Sequence, residues 1–192
     1  MIFPPVAVEM FYQKPAEDYY LIVSELVAYK RIDAAVRVFS RSGRPLKIVG
    51  DGPEFGALQR IARTNIEFCG RVSDHELREL YAHCRAFLMP GEEDFGIAAV
   101  EAMASGKPVI ALARGGALET VPAGGGILYP EATDDCLSSA VEEWDFLEGG
   151  CDPGELQRWA ARFSEAEFAT KMRPLLRAAE APARRRTNVV TA

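Results

Sequence analysis

The sequence lacks the features of a membrane-spanning, secreted or repetitive protein. No apolar run in its 192 residues approaches the roughly 20 needed to span a bilayer. The N-terminus has no basic segment followed by an apolar stretch, and no internal repeat is evident. Hydrophobic residues at 48% and charged residues at 26% exclude disordered and collagen-like chains. We therefore expect a cytoplasmic chain that folds around its own core.

Paired cysteines and an excess of positive charge are also lacking. The four cysteines form no CxxC pair and have no histidine at ligand spacing, so neither a zinc site nor a disulfide framework is expected. The 22 basic and 28 acidic residues give a net charge of −6, which argues against nucleic acid as the main partner. This charge is still compatible with a nucleotide in a local basic pocket.

What the sequence does have is an alternation of strands and helices. Six short apolar runs predict strands buried on both faces, at residues 20–23, 46–49, 66–68, 86–89, 109–112 and 126–129. Amphipathic helical patterns lie between them, and a capping box at Ser73 and Glu76 starts one of these helices. This alternation predicts a Rossmann-like, doubly wound parallel α/β sheet of about six strands, followed by extra C-terminal helices.

The chain divides into three predicted segments. Residues 1–18 contain three prolines and no sustained periodicity, which indicates an extended lead-in. Residues 19–181 hold all the predicted strands and helices and form the predicted domain. Residues 182–192 are predicted to be a disordered tail, and we interpret their three consecutive arginines as a solvated end rather than a targeting motif.

Ligands of open α/β sheets bind outside the carboxyl ends of the strands, so a site is expected in the loops that follow the strands. Gly50 and Gly52 follow the second strand, where a glycine turn alone is more often structural. Lys30 and Arg31 precede a predicted helix and so oppose its dipole, a misfit that a bound anion would remove. A solvated surface pair is the alternative.

The loop after the fourth strand carries three consecutive carboxylates at residues 92–94. Acidic capping of the next helix would explain them, although free amides at Gly96 and Ile97 would also suit an anionic ligand. Glu101 lies eight residues beyond Glu93 on a helix that is otherwise apolar and small. A buried, unpaired carboxylate costs several kcal/mol, so Glu101 needs a partner, and sugar hydroxyls would serve.

These segments resemble a known family. The residues EDFGI (93–97) and EAMASGKPV (101–109) resemble the E-x7-E signature of the retaining GT-B glycosyltransferases of family 4, also called group 1. The segments YKRID, VGDGP, FCGRV and GGALE occur where the C-terminal domain of that family has its counterparts. The resemblance covers roughly residues 2–168, and the segment IFPPV (2–6) resembles the linker between the two domains. It implies that the chain is a single GT-B half, the donor-binding one.

The resemblance assigns the sugar and phosphate contacts. Glu93 would bind hydroxyls of the donor sugar beside the backbone of Phe95 and Gly96. The amides of Gly96 and Ile97 would meet the donor phosphates, in agreement with the properties of a helix N-terminus. Lys30 would neutralise the diphosphate and stabilise the leaving group, so Glu93 and Lys30 are the expected catalytic residues.

It also assigns the nucleoside contacts. Glu101 would accept hydrogen bonds from the ribose hydroxyls. Arg71 and Val72 would border the nucleobase, and Gly50 would let the backbone approach the nucleotide. Arg31, which follows Lys30 in the sequence, is also expected in the donor site.

The implied reaction transfers a hexosyl group from a nucleoside diphosphate sugar to an acceptor hydroxyl with retention, in cell-surface polysaccharide or glycolipid synthesis. GDP- and UDP-sugars are not distinguished. No cofactor and no metal are expected, because Lys30 and backbone dipoles replace the metal and Glu92 with Asp94 is a poor candidate for a metal site. The implied partner is an N-terminal acceptor domain, in cis or in trans, without which the chain should not transfer sugar. Peripheral contact with the inner face of the membrane would come through the full enzyme.

Two departures from the family keep alternatives open. Glu25 stands where many members carry an arginine that helps to bind the diphosphate, and a carboxylate there would repel phosphate. The N-terminal domain of the family, which provides acceptor binding and a histidine near the reacting sugar, has no counterpart here: His75 lies in a capping turn and His83 on the following helix, so neither replaces that histidine. The alternatives are a non-catalytic nucleotide-binding or interaction module and a sugar-nucleotide epimerase of GT-B architecture.

Overall fold

A computed structural model describes residues 1–147 and 150–180 of the chain. Its strands are β1 (Tyr20–Val23), β2 (Leu46–Val49), β3 (Ile66–Gly70), β4 (Phe87–Met89), β5 (Val109–Leu112) and β6 (Gly126–Tyr129). The α-helices are α1 (Ile32–Ser42), α2 (Phe55–Ile61), α3 (Asp74–His83), α4 (Ile97–Ala104), α5 (Ala117–Thr120), α6 (Asp134–Leu147), α7 (Pro153–Ala160) and α8 (Glu165–Glu180). Short 3-10 turns lie at Val8–Met10, Ala28–Lys30 and Ala161–Phe163.

The strands form one parallel sheet in the order β3-β2-β1-β4-β5-β6. This is the doubly wound order, in which the chain direction across the sheet reverses between β1 and β4. The predicted Rossmann-like α/β fold is therefore confirmed, as are the positions of all six strands. Because β1 and β4 are neighbours, the loops that follow them meet at the carboxyl edge of the sheet.

Helices cover both faces of the sheet, which explains why the strands show no polar alternation. In β1, Ile22 packs into the cluster formed with α1 and α6, whereas Leu21 packs into the cluster formed with α3, α4 and α7. Both side chains are almost completely buried, at 1% and 0% exposure. A strand with two apolar environments must be apolar at every position.

The predicted capping box is present at the start of α3. The Ser73 hydroxyl accepts a hydrogen bond from the Glu76 amide at 3.3 Å, and the Glu76 carboxylate accepts one from the Ser73 amide at 2.9 Å. The sequence patterns did not predict α5, which has only 4 residues, or the 3-10 turn at Ala28–Lys30. Elements of one turn contain too few residues to show a helical period.

The lead-in at residues 1–18 is mostly irregular, as expected, but it includes the 3-10 turn at Val8–Met10 and packs closely on the domain. Val6 is buried, and its amide donates to the carbonyl of Phe163 at 2.9 Å. The Phe3 ring stacks on that of Phe95 with 5.7 Å between centroids. The boundary at residue 19 stays a prediction, and the predicted tail at 182–192 lies outside the described residues.

A network of charges joins β1, α6 and two arginines at the edge of the sheet opposite to the β1 and β4 loops. The Asp145 carboxylate accepts hydrogen bonds from the Tyr20 hydroxyl at 2.5 Å, from Arg44 at 2.6 Å and from Arg85 at 2.8 Å. Burial alone would raise the pKa of Asp145, but the hydrogen bonds from Tyr20 and Arg44 hold that pKa below its usual value. The charged carboxylate thus links the sheet to α6.

Replacing Asp145 with asparagine should lower the free energy of unfolding by about 2 kcal/mol at pH 7, because partly buried donors lose their anionic partner. A depressed carboxyl pKa stabilises the fold above the unfolded pKa of about 4 and ceases to do so as the pH falls through the folded pKa. The free energies of unfolding of the wild type and of Asp145→Asn, measured by urea titration, should therefore approach each other as the pH falls below about 4. Asp18→Asn is the control, since Asp18 pairs with the same Arg85 at 3.3 Å but is 78% exposed.

Candidate functional site

The loops after β1 and β4 bring Lys30 and Glu93 into contact. The ammonium group of Lys30 forms an ion pair and a hydrogen bond with the Glu93 carboxylate. The two side chains are only 15% and 22% exposed, so the pair is shielded from most of the solvent. The two residues expected to be catalytic, which are 63 positions apart in the sequence, therefore share one location.

A cleft of about 370 Å³ opens beside this pair. Its walls come from the carboxyl ends of β1 and β4 and from the start of α4. The predicted residues that line it are Lys30, Glu93, Phe95, Gly96 and Ile97. The Phe95 ring itself packs against Phe3 and Phe163, so this residue offers mainly its backbone to the cleft.

The first turn of α4 faces the cleft with no capping side chain. Gly96 is the N-cap residue, with a φ of 87°, and none of the side chains that the structure describes caps the helix with a hydrogen bond. The carboxylates of residues 92–94 therefore do not act as acidic caps, so that explanation of them was wrong. The amides of the first turn of a helix have no intrahelical acceptor and carry partial positive charge, which favours an anionic ligand.

Lys30 and Arg31 differ in their relation to the helices. Lys30 ends the 3-10 turn at Ala28–Lys30 and directly precedes the N-cap of α1, so it stands at the start of that helix as predicted. Arg31 occupies the N-cap of α1 in a left-handed conformation, with φ at 54°. It lines a second groove, of about 440 Å³, together with Arg114, and Lys30 and Glu93 line this groove as well.

Glu101 lies one turn further along α4 than Ile97 and is half-buried. Its partner is the Tyr81 hydroxyl, which donates to Oε2 at 2.9 Å. Burial raises the pKa of Glu101, and the hydrogen bond from Tyr81 acts in the opposite direction. Glu101 is not among the residues that line the cleft. The partner that a buried Glu101 carboxylate requires is therefore supplied by Tyr81 of the same chain.

The residues expected around the nucleoside lie near a neighbouring hollow. Gly50 and Arg71 line a space of about 420 Å³ next to the cleft, together with Glu25. Val72 is half-buried and packs on the α4 side of the sheet without lining this hollow. At Gly50 a Cβ atom would lie 1.9 Å from the carbonyl oxygen of Ser24, so the glycine is needed for the β1 loop to approach.

Glycines that sequence reasoning did not assign to the site hold the Glu93 loop in place. The Gly116 amide donates to the Glu93 carbonyl at 2.6 Å, and a Cβ on Gly116 would lie 2.4 Å from the Cα of Phe95. On the other side, a Cβ on Gly91 would lie 2.6 Å from the Cα of Lys30. The loops after β1, β4 and β5 therefore interlock. The two glycines after β5 were visible in the sequence, but their spatial contacts with the loop after β4 were not.

The described residues contain neither a metal-type cluster nor a membrane-spanning helix. Within the described residues, no three side chains of the His, Cys, Asp or Glu type come together as they would around a metal ion. In the same part of the chain, every helix is too short or too polar to cross a bilayer. His83 Nδ1 lies 3.0 Å from the Pro15 carbonyl oxygen, so this residue contacts the lead-in rather than the cleft.

The sequence matches the family described as Glycosyl transferases group 1 over residues 11–148. It is 36% identical over 123 residues to a GDP-mannose-dependent alpha-mannosyltransferase of Corynebacterium glutamicum, covering 62% of this chain and 30% of that protein. An uncharacterized glycosyltransferase of Methanocaldococcus jannaschii is 30% identical over 149 residues, covering 74% of this chain and 42% of the relative. The chain thus spans less than half the length of these curated relatives.

The fold is similar to halves of larger solved structures. Anabaena HepE in complex with UDP and glucose superposes with a TM-score of 0.81 at 21% identity, covering 92% of this chain and 56% of that one. Sucrose-phosphate synthase from Thermosynechococcus elongatus superposes with a TM-score of 0.82 at 24% identity, covering 95% and 53%. Identities this low support the fold alone, whereas the family match extends over most of the sequence. The chain belongs to the group 1 glycosyltransferase family.

Proposed function

We propose that this chain is the nucleotide-sugar-binding half of a retaining group 1 glycosyltransferase that transfers a hexosyl group to an acceptor hydroxyl. The observation that carries the proposal is the shielded Lys30–Glu93 pair beside the uncapped start of α4. A cation, free amides and a carboxylate around one cleft suit a diphosphate joined to a sugar.

Each group has a chemical task in this proposal. Lys30 and the amides of Gly96 and Ile97 bind the diphosphate, and Glu93 accepts hydrogen bonds from the sugar hydroxyls. During transfer, the bond between the anomeric carbon and the diphosphate oxygen breaks, the acceptor oxygen bonds to the anomeric carbon, and the acceptor proton passes to the departing diphosphate, on which negative charge develops. Positive groups fixed in advance around that charge lower the barrier. No metal ion takes part in this scheme.

We propose GDP-mannose as the donor. Four of the related mannosyltransferases, from Corynebacterium glutamicum and two mycobacteria, are named as GDP-mannose-dependent. Glu101 accepts hydrogen bonds from the ribose, and the hollow that Gly50 and Arg71 line beside Val72 takes the guanine. The transfer would serve cell-surface polysaccharide or glycolipid synthesis on the cytoplasmic side of the membrane.

An acceptor-binding domain, in cis or in trans, completes the proposed enzyme. The relatives named above are more than twice as long as their match to this chain. The domain would bring the acceptor hydroxyl to the cleft and exclude water from it. The 192-residue chain on its own is therefore proposed to bind the donor and not to transfer sugar.

Calorimetric titration of the chain with GDP, GDP-mannose, UDP and ADP tests the proposal. We expect heat of binding with GDP and GDP-mannose and a weaker response to UDP and ADP. Absence of heat with all four compounds, in a sample shown to be folded by circular dichroism, would overturn the binding claim. Tighter binding of UDP than of GDP would change only the proposed nucleobase of the donor, from guanine to uracil.

Glu25 favours a second candidate, a nucleotide-binding module that has lost catalysis. This exposed carboxylate lines both the cleft and the neighbouring hollow, where it faces the proposed path of the diphosphate. Mixing the chain with an acceptor-binding domain of a close relative separates the candidates. Mannosyl transfer favours the enzyme, and GDP-mannose binding without transfer favours the module.

Replacing Glu25 with glutamine should raise the affinity for GDP about threefold, because repulsion of the diphosphate is removed at an exposed position where charge effects are small. Calorimetry in 50 mM and 500 mM salt measures the change, which should shrink in high salt. Glu143→Gln on α6 is the control, since it alters the net charge equally outside the cleft lining. Weaker GDP binding by Glu25→Gln would mean that Glu25 contacts the ligand directly.

A further inference from the structure

Tyr81 is a completely buried tyrosine on α3, with 0% exposure. Its ring packs edge-on against Phe11 with 5.6 Å between centroids and lies 5.8 Å from the Phe87 ring. These apolar neighbours would accommodate a phenylalanine equally well. The hydroxyl group therefore needs an explanation of its own, because a polar group that enters a core must find a partner.

The partner of this hydroxyl is the Glu101 carboxylate, at 2.9 Å from Oε2. Within the described residues, the Glu101 carboxylate accepts no other hydrogen bond. A carboxylate offers about four acceptor positions, so one bond from Tyr81 leaves Oε1 and part of Oε2 available. The hydroxyl fixes the direction of the carboxylate without using up its capacity.

Burial works against the charge of this carboxylate. Desolvation raises the pKa of Glu101, and the hydrogen bond from Tyr81 favours the ionised form. An ionised, oriented carboxylate is the form that accepts hydrogen bonds from a ligand, whereas a protonated one is partly a donor. Losing the Tyr81 hydroxyl would release the orientation of the carboxylate and would favour its protonated form.

We propose that Tyr81 is a positioning residue, whose hydroxyl holds Glu101 so that the carboxylate can accept hydrogen bonds from the ribose diol of the donor. This inference rests on the proposed function, and in particular on Glu101 as the ribose acceptor. Phe11 in the lead-in and Phe87 on β4 fix the ring, and the ring fixes the carboxylate.

The fold offers a matched control. Tyr19 is also buried, belongs to the same apolar cluster and donates its hydroxyl at 2.9 Å, but to the backbone carbonyl of Leu80. Tyr19→Phe and Tyr81→Phe therefore each remove one buried hydroxyl and one hydrogen bond of equal length. Only Tyr81→Phe removes a bond to Glu101.

The test compares the affinities of GDP and 2′,3′-dideoxy-GDP, which lacks both ribose hydroxyls. We expect the wild type to prefer GDP by about tenfold, Glu101→Ala to lose this preference, and Tyr81→Phe to lose most of it. Tyr19→Phe should keep the wild-type ratio. Because the ratio is taken within one variant, a general loss of stability cancels from it.

A second variant guards against misfolding of Tyr81→Phe. In the Glu101→Ala background the Tyr81 hydroxyl has lost its acceptor, so Tyr81→Phe there should leave GDP affinity unchanged within about twofold. An unchanged ratio in Tyr81→Phe, or full additivity with Glu101→Ala, would overturn the proposal. A wild type that binds GDP without preferring it to the dideoxy analogue would also overturn it. A wild type that binds no GDP would instead overturn the proposed function.

Discussion

Replacing Lys30 with alanine is expected to weaken GDP-mannose binding by about 2 kcal/mol, or about 30-fold, because a charge-assisted hydrogen bond to the diphosphate is lost. The side chain is 15% exposed, so its charge is screened less than that of a surface lysine. Calorimetry with GDP-mannose and GDP measures the loss. Both ligands carry the diphosphate, and both should weaken to a similar extent.

The ion pair complicates this variant, because alanine at position 30 leaves the Glu93 carboxylate without its cation. Part of the loss would then come from repulsion between Glu93 and phosphate rather than from the missing lysine. The double variant Lys30→Ala with Glu93→Gln removes that repulsion and should recover part of the affinity for GDP. Lys47→Ala is the control, because Lys47 pairs with Glu67 on the neighbouring strand and lines none of the described hollows. Wild-type affinity in Lys30→Ala would remove Lys30 from the site.

Replacing Gly50 with alanine should cost about 3 kcal/mol or more of folding stability. Gly50 has a φ of 125°, and an added Cβ would lie 1.9 Å from the Ser24 carbonyl oxygen. Backbone cannot yield as the end of a flexible side chain can, so the loops after β1 and β2 must separate. Urea denaturation measures the loss.

Gly43→Ala separates the two causes of this cost. Gly43, at the end of α1, also has a positive φ, of 75°, but a Cβ added there would meet no atom of the described part of the chain within 4 Å. Its cost should be about 1 kcal/mol, the strain of a left-handed residue alone. Equal costs at both positions would mean that the approach of the two loops is not what requires a glycine at position 50.

The fold was accessible from the sequence because each signal was local. Leu21 and Ile22 are apolar since the two faces of one strand are both covered, and this produces an uninterrupted apolar run. The capping box at Ser73 is complete within four residues. Once strands and helices alternate, the right-handed crossover rule leaves few topologies.

The site was accessible only in part. The proximity of Lys30 and Glu93 follows from strand order and from the family resemblance. The hydrogen bond between Tyr81 and Glu101 joins two helices, and at helical spacing Tyr81 looks like an ordinary core residue. Gly91 and Gly116 are required by backbone from other loops, which no local pattern encodes. The backbone of Arg31 adopts the left-handed conformation where the 3-10 turn at Ala28–Lys30 ends and α1 begins.

The ion pair between Lys30 and Glu93 has an entropic consequence for recognition. Two long side chains are already confined to one arrangement before any ligand arrives, and the interlocked glycine loops restrict the backbone beneath them. Ordering a flexible side chain upon binding costs about 0.5–1.5 kcal/mol, and here that ordering belongs to folding. A bound anion would therefore replace Glu93 as the partner of Lys30, and the rate of this replacement would depend on how often the Lys30–Glu93 pair opens.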